Sequence, residues 1–578
     1  MRQQYATRSL ILAGILALVA LGVIAQMIRI QSSEQAQIFL AQGDRYSGEF
    51  QMVYPERGEI YDRNGHLLAG NRTVYEVGVS LSDMNDPQAL AYTLGKYLGL
   101  SYEEVYDKLV NAPEEWEYVV VQDYVGAETV TSLQQLLKQM QDARDDRLSG
   151  LAFKPHFQRS YPENALASNV LGFVTRDGRG YFGIEEKYND LLAGNPVQVW
   201  VPRDPNKAID IPRVPNGTTL VLTINRDLQA KVESILDQAL LDYGSENGTI
   251  VVMDPRNGEI LAMAATPRMD LNNYGNYFSL YDNGSQYNRS IGMAYEPGSV
   301  LKVLTMAAAL DTGTVRPETT FVDTGSIEVG GITIRNWNRD SWGQQDMIGC
   351  LQHSLNVCLA WVSTQLGVQN FYGYMERFGL GHSTGIDLSG EAMGRLKVPG
   401  DTDWYPVDLG TNAFGQGITV TPLQMLMSVS AVANDGRMVT PHVLYAMLRD
   451  GHEYSVPSQY AGSPIKPETA HTLANMLAIS LEQESSQALL PGYRLAGKTG
   501  TAQIPTDTGY DLTHTNASFI GWGPVDDPQF MVYIWLQKPS ASIWSSETAA
   551  PVFSKVAEQS VILLNIPPDV VRSQLVNH

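Results

Sequence analysis

Cysteine is scarce in this chain of 578 residues: only Cys350 and Cys358 occur. On one continuous helix they would stand about 12 Å apart, too far for a disulfide, whereas a chain break between them would allow a bridge. The sequence leaves both arrangements open. No H-E-x-x-H pattern and no cluster of metal-ligating residues is present, so nothing points to a metal centre, and no cofactor is expected. Basic residues are also few, 40 against 62 acidic ones for a net charge of -22, which argues against a nucleic-acid-binding surface. The acidic excess is spread along the chain rather than gathered in a tail, and reads as a soluble acidic surface. Long apolar runs are missing everywhere except near the start.

That one run, Leu10 to Ile28, is flanked by Arg2 and Arg8 before it and Arg29 after it. About twenty residues suffice to cross a bilayer as a helix. A cleaved signal peptide would have a shorter apolar core ending at a small-residue site, and Ala25-Gln26-Met27 is a weak one, so the segment reads as an uncleaved anchor. The layout expected is a short cytoplasmic end at residues 1–8, a transmembrane helix at 9–30, and the rest of a single-pass protein outside the cell membrane. The length allows two or three domains, and a composition of 44% hydrophobic residues with nine tryptophans is ordinary for a globular protein.

After a polar juxtamembrane stretch, Asn64-Gly65 between β-prone runs reads as a tight hairpin turn. From about Pro87 to Leu137 the apolar spacing is helical, as in Leu90, Leu94, Tyr97 and Leu98, and the segments 158–162 and 180–188 return to turns and short strands. No arrangement of acid, base and nucleophile is found here, so this part reads as a structural and interaction domain. Composition shifts after Asn216-Gly217. Leu220 to Ile224 is a strand pattern, Asp227 to Leu241 a helix capped by Asn225, and Thr249 to Ala264 a β-hairpin with a longer turn.

The chemistry is concentrated in three short stretches. Glu296-Pro297-Gly298-Ser299 breaks the preceding segment, and an almost wholly apolar run from Val300 to Leu310 follows until Asp311-Thr312-Gly313 stops it. A helix apolar all round is a buried one, yet Lys302 sits inside it one turn beyond Ser299. A lysine there is either neutral or tightly paired, and a neutral amine can take the proton of a serine hydroxyl. The bland alternative is a capping serine followed by a snorkelling lysine. Ser463-Pro464-Ile465-Lys466 repeats the spacing with nothing apolar to bury its lysine. Further along, Ser354 and Asn356 form S-x-N in a helical region; if the helix breaks there, both side chains can face one cleft, Ser354 relaying a proton and Asn356 orienting a substrate amide. Ser245-Glu246-Asn247 also matches S-x-N and reads as a turn. Finally, Arg494 to Ile504 looks like a strand interrupted by glycine. Lys498 adds positive charge, Thr499 and Thr501 share a side where hydroxyls can hold a carboxylate, Gly500 would admit a substrate backbone, and the N–H groups of Ser299 and Thr501 would form an oxyanion hole.

The order S-x-x-K, S-x-N, K-T-G resembles that of the class B penicillin-binding proteins, monofunctional peptidoglycan transpeptidases. The likeness extends to Arg57-Gly58, Asp62 to Gly65, Arg159 with Tyr161-Pro162, and Gly183-Ile184-Glu185. It continues through Asp254-Pro255, Gly258-Glu259, Gly415-Gln416-Gly417, Thr421-Pro422, and Gly521 with Pro524. The resemblance implies an α+β multi-domain chain: the membrane helix, an elongated non-catalytic pedestal or dimerisation-like domain at 31–215, a β-lactamase-like transpeptidase domain of antiparallel sheet flanked by helices at 216–562, and a tail at 563–578. It implies Ser299 as the acylated nucleophile, Lys302 as its base, Ser354 and Asn356 as the second wall, and Lys498 to Thr501 as the carboxylate-binding strand. The family acts on stem peptides ending in D-Ala-D-Ala, is trapped by β-lactams, and works beside a multi-spanning glycosyltransferase and other division or elongation proteins. Glu296 resembles the division branch more than the elongation branch.

Three rival readings are set against this. Gly381-His382-Ser383-Thr384-Gly385 matches the nucleophile elbow of α/β hydrolases, but the helical pattern precedes it and the β-prone one follows, the reverse of what that motif needs. A β-lactamase or D,D-carboxypeptidase on the same fold is disfavoured by the pedestal and the anchor. A β-lactam sensor or idle scaffold is disfavoured by the intact Ser299, Lys302 and Lys498.

Overall fold

The computed structural model describes residues 2–32, 48–113, 115–202, 214–281, 286–484, 486–506 and 509–576, so the juxtamembrane stretch at 33–47 lies outside the described residues. The chain divides into two compact units, Met1–Glu56 with Gly194–Asn216, and Arg57–Ala193 with Gly217–His578. The first contains the helix Arg2–Gln31, of which Leu10–Gln31 is long and apolar enough to cross a membrane, with a mean hydropathy of 2.6 over an 18-residue window. It also contains an antiparallel pair of strands, Gly48–Val53 and Val197–Pro202.

The second unit is built on two sheets. One has five antiparallel strands in the order Ile260–Ala265, Asn247–Met253, Phe530–Gln537, Gly509–Gly523, Ala496–Thr506. Its strands Ile260–Ala265, Asn247–Met253 and Phe530–Gln537 are buried along nearly their whole length because both faces of the sheet are covered there. Ile250, Val252, Val532, Ile534 and Phe519 pack with Leu228, Val232 and Leu236 of the helix Arg226–Tyr243 and with Phe553 and Val556 of Ala549–Leu563. The alternate residues Val251, Met253, Met531, Tyr533 and Ile520 face the core that holds Val300, Leu304 and the helix Pro422–Ala433. Asn225 caps the Arg226–Tyr243 helix by accepting from the N–H groups of Asp227 and Leu228, as expected.

The other sheet has seven strands and crosses the division expected near residue 216. Thr219–Leu222, Leu444–Arg449 and His452–Ser455 continue through Ile60–Tyr61 into Leu67–Ser80, Tyr118–Gly126 and Leu151–Ser160. The turn at Asn64-Gly65 forms, with Asp62 Oδ1 accepting from the N–H groups of Asn64 and His66. The helical reading of 87–137 is corrected at its centre. Helices occupy Pro87–Leu98, Tyr102–Val110 and Ala127–Asp142, but Tyr118–Gly126 is a strand, because its β-branched Val119 and Val120 pair with Val79 and Gly78. Within 180–188, Gly180–Tyr181 is the short strand expected, whereas Gly183–Lys187 is helical.

The helix Gly183–Lys187 places Glu185 at the centre of a buried clasp. Its carboxylate, fully shielded from solvent, accepts from Arg57 Nε at 2.7 Å, Arg159 Nε at 2.6 Å and the Tyr161 hydroxyl at 3.3 Å, while Arg159 also donates to the carbonyl of Gly58 at 2.8 Å. Residues far apart in sequence are thereby tied at one point. Removing one partner of a buried ion pair strands the others, so Glu185→Ala should destabilise the unit by about 3–5 kcal/mol. A melting temperature unchanged by that substitution would contradict this role.

Candidate active site

Ser299 lies on a single 3-10 turn, Gly298–Leu301, that runs directly into the buried helix Lys302–Asp311. The turn is seated by glycines. Gly298 adopts φ 57° and donates its N–H to the carbonyl of Gly415 at 3.1 Å, and a Cβ on Gly415 would collide with the Gly298 carbonyl. On its other side the turn meets Ala496–Thr506, the edge strand of the five-stranded sheet. A Cβ on Gly500 would strike the Ser518 hydroxyl and come within 2.8 Å of Val300 Cγ1. The missing side chain at Gly500 therefore lets the strand lie against the serine turn.

Lys302 is completely buried. Its amine donates to the Ser354 carbonyl at 2.5 Å, Ser354 Oγ at 3.1 Å and Asn356 Oδ1 at 2.8 Å. These three acceptors converge because the helix does break where the second motif lies. Ser354 has φ 50° between the helices Met347–Gln352 and Asn356–Leu366, and Cys350 and Cys358 form a disulfide across the break with Cα atoms 6.0 Å apart. The break settles the cysteine pairing that the sequence left open. Among the described residues no hydrogen bond joins Lys302 to the hydroxyl of Ser299, which is half-buried one turn away.

The third segment supplies a second buried amine. Lys498 donates to the carbonyl and hydroxyl of Thr499, at 3.3 and 3.2 Å. Thr501 Oγ1 lies 3.0 Å from Ser545 Oγ, and both Ser545 and Ser518 donate their hydroxyls to the carbonyl of Gly500, at 2.6 and 3.1 Å. Ser518 and Ser545 thus brace the strand that carries Lys498, Thr499 and Thr501. Neither carries a local signal in the sequence, since both act through long-range contacts. Nothing comparable surrounds the decoys: Lys466 is at the exposed start of a helix, and Gly381 to Gly385 form a loop after Val368–Arg377.

Burial sets the electrostatics. Desolvation holds the Lys302 amine well below its ordinary value of 10.5, and the nearby Lys498 charge lowers it further. Lys498 is itself pushed down to about 8 by desolvation, partly offset by the Glu484 carboxylate. The charged amine can donate to all three acceptors; once deprotonated it keeps two N–H donors, enough for the Ser354 carbonyl and Asn356 Oδ1, and gains a lone pair, which is what a base beside a serine hydroxyl requires. The structure thus gathers Ser299, Lys302, Ser354, Asn356, Lys498, Thr499, Gly500 and Thr501 around one turn.

Residues 248–558 match the penicillin-binding protein transpeptidase domain, and residues 52–209 match the penicillin-binding protein dimerisation domain. The chain belongs to the class B penicillin-binding proteins. Within that family it is similar to stage V sporulation protein D of Bacillus subtilis, with 33% identity over 89% of this chain and 79% of the relative. It is similar at 26% identity to the peptidoglycan D,D-transpeptidase FtsI of Escherichia coli, over 92% of this chain and 88% of the relative. Among solved structures, penicillin-binding protein 3 of Mycobacterium tuberculosis complexed with aztreonam superposes with a TM-score of 0.69 at 25% identity, over 90% of this chain and 98% of that one.

The two amines make opposite demands on pH. A base at Lys302 would have to lose its proton first, whereas a carboxylate-holding amine at Lys498 would have to keep one. Acylation should therefore rise as Lys302 deprotonates and fall as pH passes through about 8, which a penicillin-acylation profile measured from about pH 6 to pH 10 checks. A rate still climbing beyond about pH 9 would contradict the assignment of Lys498.

Proposed function

We infer that this protein is a serine D,D-transpeptidase that cross-links peptidoglycan. The observation that carries the reading is the buried amine of Lys302, shared between Ser354 and Asn356 and one turn from Ser299. In the first half-reaction Ser299 Oγ attacks the carbonyl of the penultimate D-Ala of a stem peptide, and Lys302 takes the hydroxyl proton. The C–N bond to the terminal D-Ala breaks, and that proton leaves on its amine, relayed by Ser354. In the second, the amine of a neighbouring stem peptide attacks the serine ester; an amide forms, the ester opens, and Ser299 recovers a proton. Backbone N–H groups of Ser299 and Thr501 stabilise the oxyanion, while Lys498, Thr499 and Thr501 hold the terminal carboxylate of the donor.

The same cleft accepts β-lactams, as does the relative solved with aztreonam. The helix Leu10–Gln31 anchors the chain in the cell membrane, and the Cys350–Cys358 disulfide fits a catalytic region on the oxidising, extracytoplasmic side. A multi-spanning glycosyltransferase and other wall-synthesis proteins are the expected partners, and Glu296 ahead of Pro297-Gly298-Ser299 favours a division role.

Incubating the protein with a D-Ala-D-Ala donor peptide and an added amine tests the reaction. Release of D-Ala with formation of the new amide, both lost in Ser299→Ala, is expected. Release of D-Ala with the hydrolysed peptide alone would indicate a carboxypeptidase, and neither product would indicate a scaffold.

A further inference from the structure

We propose that Glu296 is a positioning residue for acylation, acting through Tyr510 to hold the outer half of the Ala496–Thr506 strand against the serine turn. This deepens the transpeptidase reading and rests on it. Glu296 stands three residues ahead of Ser299 and is only 8% exposed. Its Oε1 accepts from the N–H of Gly417 at 3.0 Å, and the Tyr510 hydroxyl donates to Oε2 at 3.0 Å and lies 3.3 Å from Oε1. No other hydroxyl or amide is needed to explain how this carboxylate is kept under the surface. Burial pushes it above the usual carboxylate range, opposed by the Gly417 N–H, the Tyr510 hydroxyl and the Lys397 charge, which is itself paired with Asp408 at 3.2 Å.

The strand needs such a tie. It is the edge of its sheet, laddered on one side only, and its register against Gly509–Gly523 slips between Gln503 and Pro505. Beyond the slip, Pro505 opposes Tyr510 and Thr506 opposes Gly509. Among the described residues, two hydrogen bonds tie this end of the hairpin to the body of the unit: Tyr510 to Glu296 beyond the slip, and Gln416 Nε2 to Gln503 Oε1 at 3.3 Å at its inner edge. Both lead to the loop Gly415-Gln416-Gly417, and Gly415 accepts the N–H of Gly298. The result is a closed ring of contacts from the serine turn, through that loop and the hairpin, back to Glu296. Thr501 lies two residues inside the slip, so its distance from Ser299 depends on the ring being closed. Displacements of about 1 Å at reacting groups cost rate without costing fold.

The test is single-turnover acylation of the full-length protein by a fluorescent penicillin, resolved into the acylation rate constant and the preceding dissociation constant. Tyr510→Phe removes one hydroxyl from a partly exposed ring and should slow acylation about tenfold, the loss expected of a hydrogen bond to a buried carboxylate, with an unchanged melting temperature. Glu296→Ala should slow it at least as much. Glu296→Gln should recover much of the rate, because its amide can still accept from Gly417 and donate to the Tyr510 oxygen. Adding Tyr510→Phe to Glu296→Ala should cost nothing further. Native acylation by Tyr510→Phe overturns the proposal while leaving the transpeptidase reading intact, as does independent multiplication of the two losses. A native protein that takes no penicillin overturns both.

Discussion

An amine with no water around it has two ways to exist inside a protein: it can lose its proton, or it can be surrounded by acceptors. Lys302 is placed between these. Three oxygens from the Ser354 and Asn356 segment surround it, yet none belongs to a carboxylate, and the nearest formal charge that acts on it, Lys498, is repulsive. The acceptors orient the amine without stabilising its charge as an ion pair would. A group so placed is ready to receive a proton and poorly disposed to keep one, which is the property an acyl-transfer base needs.

The rest of the second unit can be understood as what it takes to keep that amine where it is. The almost wholly apolar helix buries it, the sheet behind the helix fixes the edge strand with Lys498, and the disulfide spans the break that turns Ser354 and Asn356 inward. Gly298, Gly415 and Gly500 allow three backbones to approach more closely than any side chain would permit. The serine turn is therefore held by backbone on two sides, and Glu296 and Tyr510 close the remaining gap at the outer end of the strand.

Much of this was legible in the chain because the signals are local. The apolar run around Lys302 announced a buried helix, Asn225 a cap and Asn64-Gly65 a turn, and each formed where expected. The spacing of Cys350 and Cys358 posed the question that the helix break answers. What escaped were features created by pairing at a distance. The strand Tyr118–Gly126 lies among helices and owes its form to Leu67–Ser80. The sheet that joins strands from both sides of residue 216, the bracing by Ser518 and Ser545, and the packing of Gly500 against the serine turn likewise depend on segments apart in the chain. The clasp at Glu185 explains why Arg57, Arg159 and Tyr161 belong to one set, though their sequence spacing carries no hint of it.

If the amine at residue 302 is the base, its replacement must stop the chemistry without unmaking the fold. Lys302→Met keeps an unbranched side chain of similar length in the same apolar surroundings. The decisive measurement is the rate of acylation of that variant by a labelled penicillin, with circular dichroism to establish that the helices remain. A folded protein that is not acylated is expected; a folded variant acylated at the native rate would rule out Lys302 as the base.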